Sequence, residues 1–140
     1  MIASFILGIA LFFEVGMVLL VPIVFAIAVE AGVPILYLGI PMAAALSVTH
    51  GFLPPHPAPV AIAQVLGAND GKVLLFGFVI AIVAAYIAGP LFSRMARKIV
   101  PAAFERKGNL SSIGEVKQFT PEESPSFGLS VLTALFPVLL

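Results

Sequence analysis

The chain has 140 residues, 61% of them hydrophobic and only 10% charged, with a mean hydropathy of +1.16. A soluble domain carries about 25% charged residues, so these side chains cannot cover a surface in water and a bilayer is the expected solvent. Zero net charge argues against nucleic acid as a partner, and the lack of cysteine removes disulfides and any cysteine-based metal or redox site.

Met1 to Val29 is one apolar run. As a straight helix it would be about 43 Å long, more than the roughly 30 Å hydrocarbon core, so tilt or a kink is expected. Pro22 is the expected kink site. No basic n-region or small-residue cleavage site marks a signal peptide. Gly8, Ala10 and Gly16 suit close helix packing. Glu14, flanked by Phe12, Phe13 and Val15, falls midway along the run. A carboxylate there must be neutralised by a proton or held by a partner in the bundle. Proton coupling and an interhelical hydrogen bond are the two roles it could serve.

Glu30-Ala31-Gly32-Val33-Pro34 reads as a turn. The next run, Ile35 to Thr49, is about 22 Å long as a helix, too short to cross comfortably. Then comes His50-Gly51-Phe52-Leu53-Pro54-Pro55-His56-Pro57-Ala58-Pro59. Pro54, Pro55, Pro57 and Pro59 each remove a backbone donor and deny this stretch a continuous helix. Hydrocarbon tolerates such backbone only where protein buries it or water lines it. Val60 to Leu66 is shorter still. Two short segments around a polar break suggest a re-entrant hairpin over residues 33–68, entering and leaving on one side. A full crossing by Ile35 to Phe52 is the alternative, and it would reverse the direction of the first span.

Gly67-Ala68-Asn69-Asp70-Gly71 reads as an exposed turn, with Asp70 and Glu30 as solvated charges. Lys72 to Phe92 is the clearest span, with Lys72 and Arg94 able to snorkel at its ends. The polar stretch 93–126 holds Arg94, Arg97, Lys98, Arg106, Lys107 and Lys117, six of the seven basic residues. The positive-inside rule puts it in the cytoplasm. Glu105, Glu115, Glu122 and Glu123 read as solvated loop charges. Residues 127–140 begin a further apolar span; its run from Leu129 would reach only about 18 Å, so the chain reads as an internal piece of a longer protein. The expected fold is therefore all-α: a polytopic membrane fragment with a transmembrane region over 1–92 (spans 1–29 and 72–92, broken hairpin 33–68), a cytoplasmic loop over 93–126 and a truncated helix.

A proline-broken segment rich in polar handles is how many carriers build a substrate site within the bilayer, so transport is the expected function. Ser47, Thr49, His50, Gly51, His56 and Gln64 supply donors and acceptors around the break for a small organic anion. A helix starting near Val60 would point its positive end at such an anion. His50 and His56 are proton-coupling candidates together with Glu14, because an imidazole can both accept and donate a proton. Each histidine could instead cap a helix end or bond a carbonyl freed by the prolines. No metal or other cofactor is expected. An intramembrane metal enzyme would need geometry such as H-E-x-x-H, which is missing, and no Gly-x-Ser-x-Gly elbow occurs. A structural subunit would not need a histidine-rich break, and a channel would call for a repeated filter or a ring of charges.

Three segments resemble the gluconate permease family of gluconate:H+ symporters: Ala10 to Phe25, Gly39 to Pro57 and Pro125 to Ser130. The similarity runs from about Ile6 to Leu140 and is weakest in the polar stretch. It implies a bacterial inner-membrane carrier about three times this length that imports gluconate or a related small hydroxy or amino acid with protons. The remainder of that parent and the lipid bilayer would be the other partners. Ala58 departs from the glycine expected at that position in many members. The resemblance by itself assigns no role to any single residue.

Overall fold

The computed structural model describes residues 1–105 and 126–132. The loop charges Arg106, Lys107, Glu115, Lys117, Glu122 and Glu123, and residues 133–140 of the expected last helix, lie outside the described residues. Helix is the regular structure among the described residues: α1 (Ile2–Ala10), α2 (Phe13–Glu30), α3 (Ile35–Phe52), α4 (Pro57–Val65) and α5 (Asp70–Tyr86). A π-helical turn (Ile87–Leu91) leads on into α6 (Phe92–Ile99), and α7 (Pro101–Glu105) follows. Residues 127–132 are again helical. By length and composition, three helices could cross a membrane: Phe13–Glu30, the broken pair Ile35–Val65, and Asp70–Ile99.

Local chemistry accounts for most of the boundaries. Gly32 (φ 65°) and Gly67 (φ 61°) end α2 and α4 in the left-handed region. At each, the following residue's N–H reaches back to a carbonyl in the last turn, Val33 to Ala28 and Ala68 to Ala63. Asn69 starts α5 by accepting a hydrogen bond from the Lys72 N–H at 3.1 Å, and Asp70 suits the positive end of the same helix. Pro57 takes the first position of α4, where a missing N–H does no harm, so α4 begins three residues before the expected Val60. The stretch expected as loop from Ser93 is helical, because α5 continues through the π turn into α6 and Arg97 and Lys98 favour its carbonyl end.

The break in the first apolar run falls at Leu11–Phe12, where the backbone is extended (ψ 144° and 150°). The expected kink site Pro22 lies inside an unbroken α2. Neither breaker residue stands at Leu11 or Phe12, so the interruption is imposed by tertiary contacts.

α3 is the hub, and its neighbours set the direction of every other helix. Tyr37, Pro41 and Phe52 of α3 meet Arg97, Gly89 and Gly77 in turn, so α5 and α6 run antiparallel to it. Met1 lies at Gly89 while Gly8 faces Thr49, so α1 runs with α3. Gly16 meets Leu46, and Leu20 clusters with Met42, so α2 runs back against α3. Glycines at the closest approaches let backbones pack where lipid supplies no hydrophobic drive for association. A methyl group added at Gly16 would stand 2.7 Å from the Leu46 side chain.

These directions correct the expected hairpin over 33–68. Asp70 lies about seven residues, or about 10 Å, beyond the level of Phe52 and away from Ile35. To reach it, α4 cannot return along α3 towards Ile35. The broken segment is therefore a discontinuous helix, and the reversal belongs to α1 and α2, which form a helical hairpin with its tip at Leu11–Phe12. Length misled here because α3 runs three residues past Thr49 and is completed by α4.

Candidate functional site: a hairpin tip against a broken helix

The hairpin tip meets the proline break through three rings. His50 and His56 lie 4.7 Å apart between centroids, and the Phe12 ring is 5.8 Å from His50 and 5.9 Å from His56. Phe12 and His56 are also the residues that immediately precede α2 and α4. Two helix N-termini therefore converge here, and neither carries a side-chain cap. The first turn of α2 presents the partial positive charge of free N–H groups, whereas Pro57 and Pro59 carry no N–H and leave α4 the helix dipole and the Ala58 N–H. The C-terminal ends of α1 and α3 arrive at the same place, where the Leu7 and Thr49 carbonyls accept from the Leu11 and Leu53 N–H groups.

His56 is buried, at 5% exposure, and its Nε2 lies 2.8 Å from the Gly8 carbonyl oxygen across 48 residues of sequence. A carbonyl only accepts, so Nε2 carries the hydrogen and donates it. In a continuous helix the Phe12 N–H would use that carbonyl; with Phe12 extended, His56 replaces the donor. His50 is half-buried, and its Nδ1 is fully enclosed without a hydrogen-bond partner. Among the described residues only Ser93 Oγ shares that condition.

Ser47 and Gly51 are exposed and lie one turn apart on the face of α3 that also carries His50. No atom comes within 4 Å of a methyl group placed at Gly51. Thr49 points the other way. It is fully buried against Gly8, and its hydroxyl lies 3.0 Å from both the Ala45 and Leu46 carbonyls of its own helix. Gln64 sits near the far end of α4, about 10 Å from its start along the axis. The structure thus brings His50 and His56 together, sets Ser47 and Gly51 on the His50 face of α3, turns Thr49 towards Gly8 and leaves Gln64 along α4. Pro54 and Pro55, joined by a cis peptide bond, form the turn between α3 and α4; Pro57 and Pro59 lie within α4.

Glu14 is exposed in the first turn of α2, beside the tip, and not in mid-helix as the unbroken run implied. A negative charge is favoured at that end of a helix, which gives the carboxylate a local reason to sit there. Phe12 and the Gly8 carbonyl escaped the sequence reading. The one available signal was Glu14 itself, since acidic residues are enriched in first turns.

No metal-binding group of three or more His, Asp or Glu side chains occurs among the described residues. At the opposite end of α3, Arg97 donates to the Tyr37 hydroxyl (3.2 Å) and lies over its ring, and Phe104 packs edge-on against the same tyrosine.

The whole chain, residues 1–140, matches the profile of GntP family permeases. A gluconate permease of Bacillus subtilis is 63% identical over 99% of the chain, which covers 31% of that relative. The high-affinity gluconate transporter of Escherichia coli is 50% identical, with 99% and 30% covered. A D-serine transporter of Escherichia coli is 37% identical, again with 99% and 30% covered. No solved structure shows significant similarity. The chain spans about a third of the length of these relatives, and it belongs to the GntP permease family.

Proposed function

We propose that the parent protein is a secondary carrier that imports gluconate or a related small organic acid by proton symport across the bacterial inner membrane. The observation that carries this reading is the convergence of two uncapped helix N-termini with the His50–His56 pair. Helix N-termini suit a carboxylate, while C-terminal carbonyls and titratable side chains suit a proton. Ser47, Gly51 and His50 form the cargo-facing group, with Ser47 and His50 offered to substrate hydroxyls. Glu14 is the proton-coupling carboxylate: in its charged form it occupies the positive end of α2, and an incoming anion is accommodated when it takes up a proton.

In this reading the cytoplasm lies at the Arg97 end, by the positive-inside rule. The hairpin α1–α2 enters from that side, α3–α4 crosses outward, and α5–α6 returns. The relatives named for gluconate support the substrate class. The D-serine transporter supports a second reading, a small hydroxy or amino acid held by the same carboxylate site. A metal-dependent enzyme or a structural subunit gives no reason for two helix N-termini to meet at a polar cluster.

The test is radiolabelled gluconate uptake by the full-length parent in vesicles, with and without an inward proton gradient. Gradient-driven uptake supports symport. Failure to take up gluconate, with uptake of another hydroxy or amino acid, moves the assignment to that substrate.

A further inference from the structure

We propose that His56 is a positioning residue. Its Nε2–H, bonded to the Gly8 carbonyl, latches the hairpin tip onto the broken helix and leaves His50 as the imidazole available to cargo. The proposal rests on the carrier reading for its transport arm only.

The argument begins with the two breaks. A helix interrupted away from water must find partners for the backbone groups it frees. The interruption at Leu11–Phe12 takes the Gly8 carbonyl out of the helical ladder, and His56 supplies the donor. His56 is itself the residue preceding α4, so one hydrogen bond joins the end of α1 to the start of α4. This bond is the only side-chain hydrogen bond between hairpin and broken helix among the described residues. Burial of His56 protects it from competition by water. His50 stands in contrast: the neighbouring ring has its Nδ1 enclosed with nothing to bond. A native buried polar atom left without a partner is uncommon, and it is the outer part of the half-buried His50 ring that stays open to cargo. One histidine is therefore committed to structure and the other is not.

Glutamine separates these roles, because its amide nitrogen can replace the imidazole Nε2 as donor but cannot titrate. Spin labels at Val15 and Ala61, exposed positions on α2 and α4, report the distance between tip and break in the full-length parent in lipid nanodiscs. Wild type, His56→Gln and His50→Ala are expected to give one narrow distribution, and His56→Ala a broadened one. Equilibrium gluconate exchange is expected to fall at least about tenfold in His56→Ala and to recover in His56→Gln. His50→Gln is expected to remain as impaired as His50→Ala. A narrow distribution in His56→Ala overturns the latch. So does a His56→Gln distribution as broad as that of His56→Ala, which would mean that ring packing, not donation, holds the tip. Broadening in His50→Ala overturns the division of roles. If the wild type exchanges no gluconate, the gluconate assignment fails on its own, and the distance measurements still decide the latch.

Discussion

Gly77 of α5 lies against the carbonyl of Phe52, the last residue of α3, so closely that a methyl group there would stand 2.7 Å from the oxygen. This contact marks where the broken helix stops along its neighbour. It shows that α4 has still to rise about 10 Å to meet the start of α5. It also notches the unbroken helix at the level of the break. Gly77→Ala is expected to destabilise the parent protein by about 1–3 kcal/mol, the range for forcing volume into a tight site. Thermal unfolding in detergent measures this, and a stability equal to wild type would refute the contact.

Gly8 makes the same kind of approach to Thr49, and here two side chains can be exchanged. A Cβ at Gly8 would collide with the Thr49 hydroxyl. Gly8→Ala is therefore expected to lose stability and exchange activity together. Adding Thr49→Ala should recover part of the loss, because the pair share one space. Additive losses in the double variant would place the defect elsewhere.

The direction of α4 has a consequence for sidedness. Ala31 follows α2 and Ala68 follows α4, and both are exposed. Single cysteines at these positions, in a parent otherwise free of cysteine, should react with an impermeant maleimide from opposite faces of the membrane, Ala68 from outside and Ala31 from the cytoplasm. Labelling of both from one face would restore the hairpin over 33–68.

Glu14 tests the coupling step. Glu14→Gln keeps the side chain's size at the start of α2 and removes its charge. Equilibrium exchange of gluconate should persist, while accumulation driven by a proton gradient should fall by at least about tenfold, the scale of a coupling free energy of 1–3 kcal/mol. Accumulation equal to wild type would take Glu14 out of the coupling step.

His50→Ala should abolish gradient-driven uptake, with the protein still inserted in the membrane. Uptake unaffected by this substitution would return His50 to packing against Phe12 and His56.

Much of this protein was determined by sequence alone. Hydropathy specified membrane helices, because an apolar run must satisfy its own backbone in lipid. Prolines 54, 55, 57 and 59 announced the break, and Gly32, Gly67 and Asn69 marked helix ends through their own backbone and side-chain chemistry. The histidines at the break were legible for the same local reason. The tertiary structure decided what depends on contacts between distant residues. Nothing local to Leu11 or Phe12 breaks a helix; the reversal there is held by Gly8 and Gly16 packing on α3 and by a donor 48 residues away. Thr49 was an equal candidate with Ser47 in the sequence, yet its position on α3 turns it into the Gly8 contact while Ser47 stays open. Helix direction across a break is likewise not a property of segment length. It follows from which neighbour each turn packs against, as the pairings of Tyr37 with Arg97, Pro41 with Gly89 and Phe52 with Gly77 establish for α3.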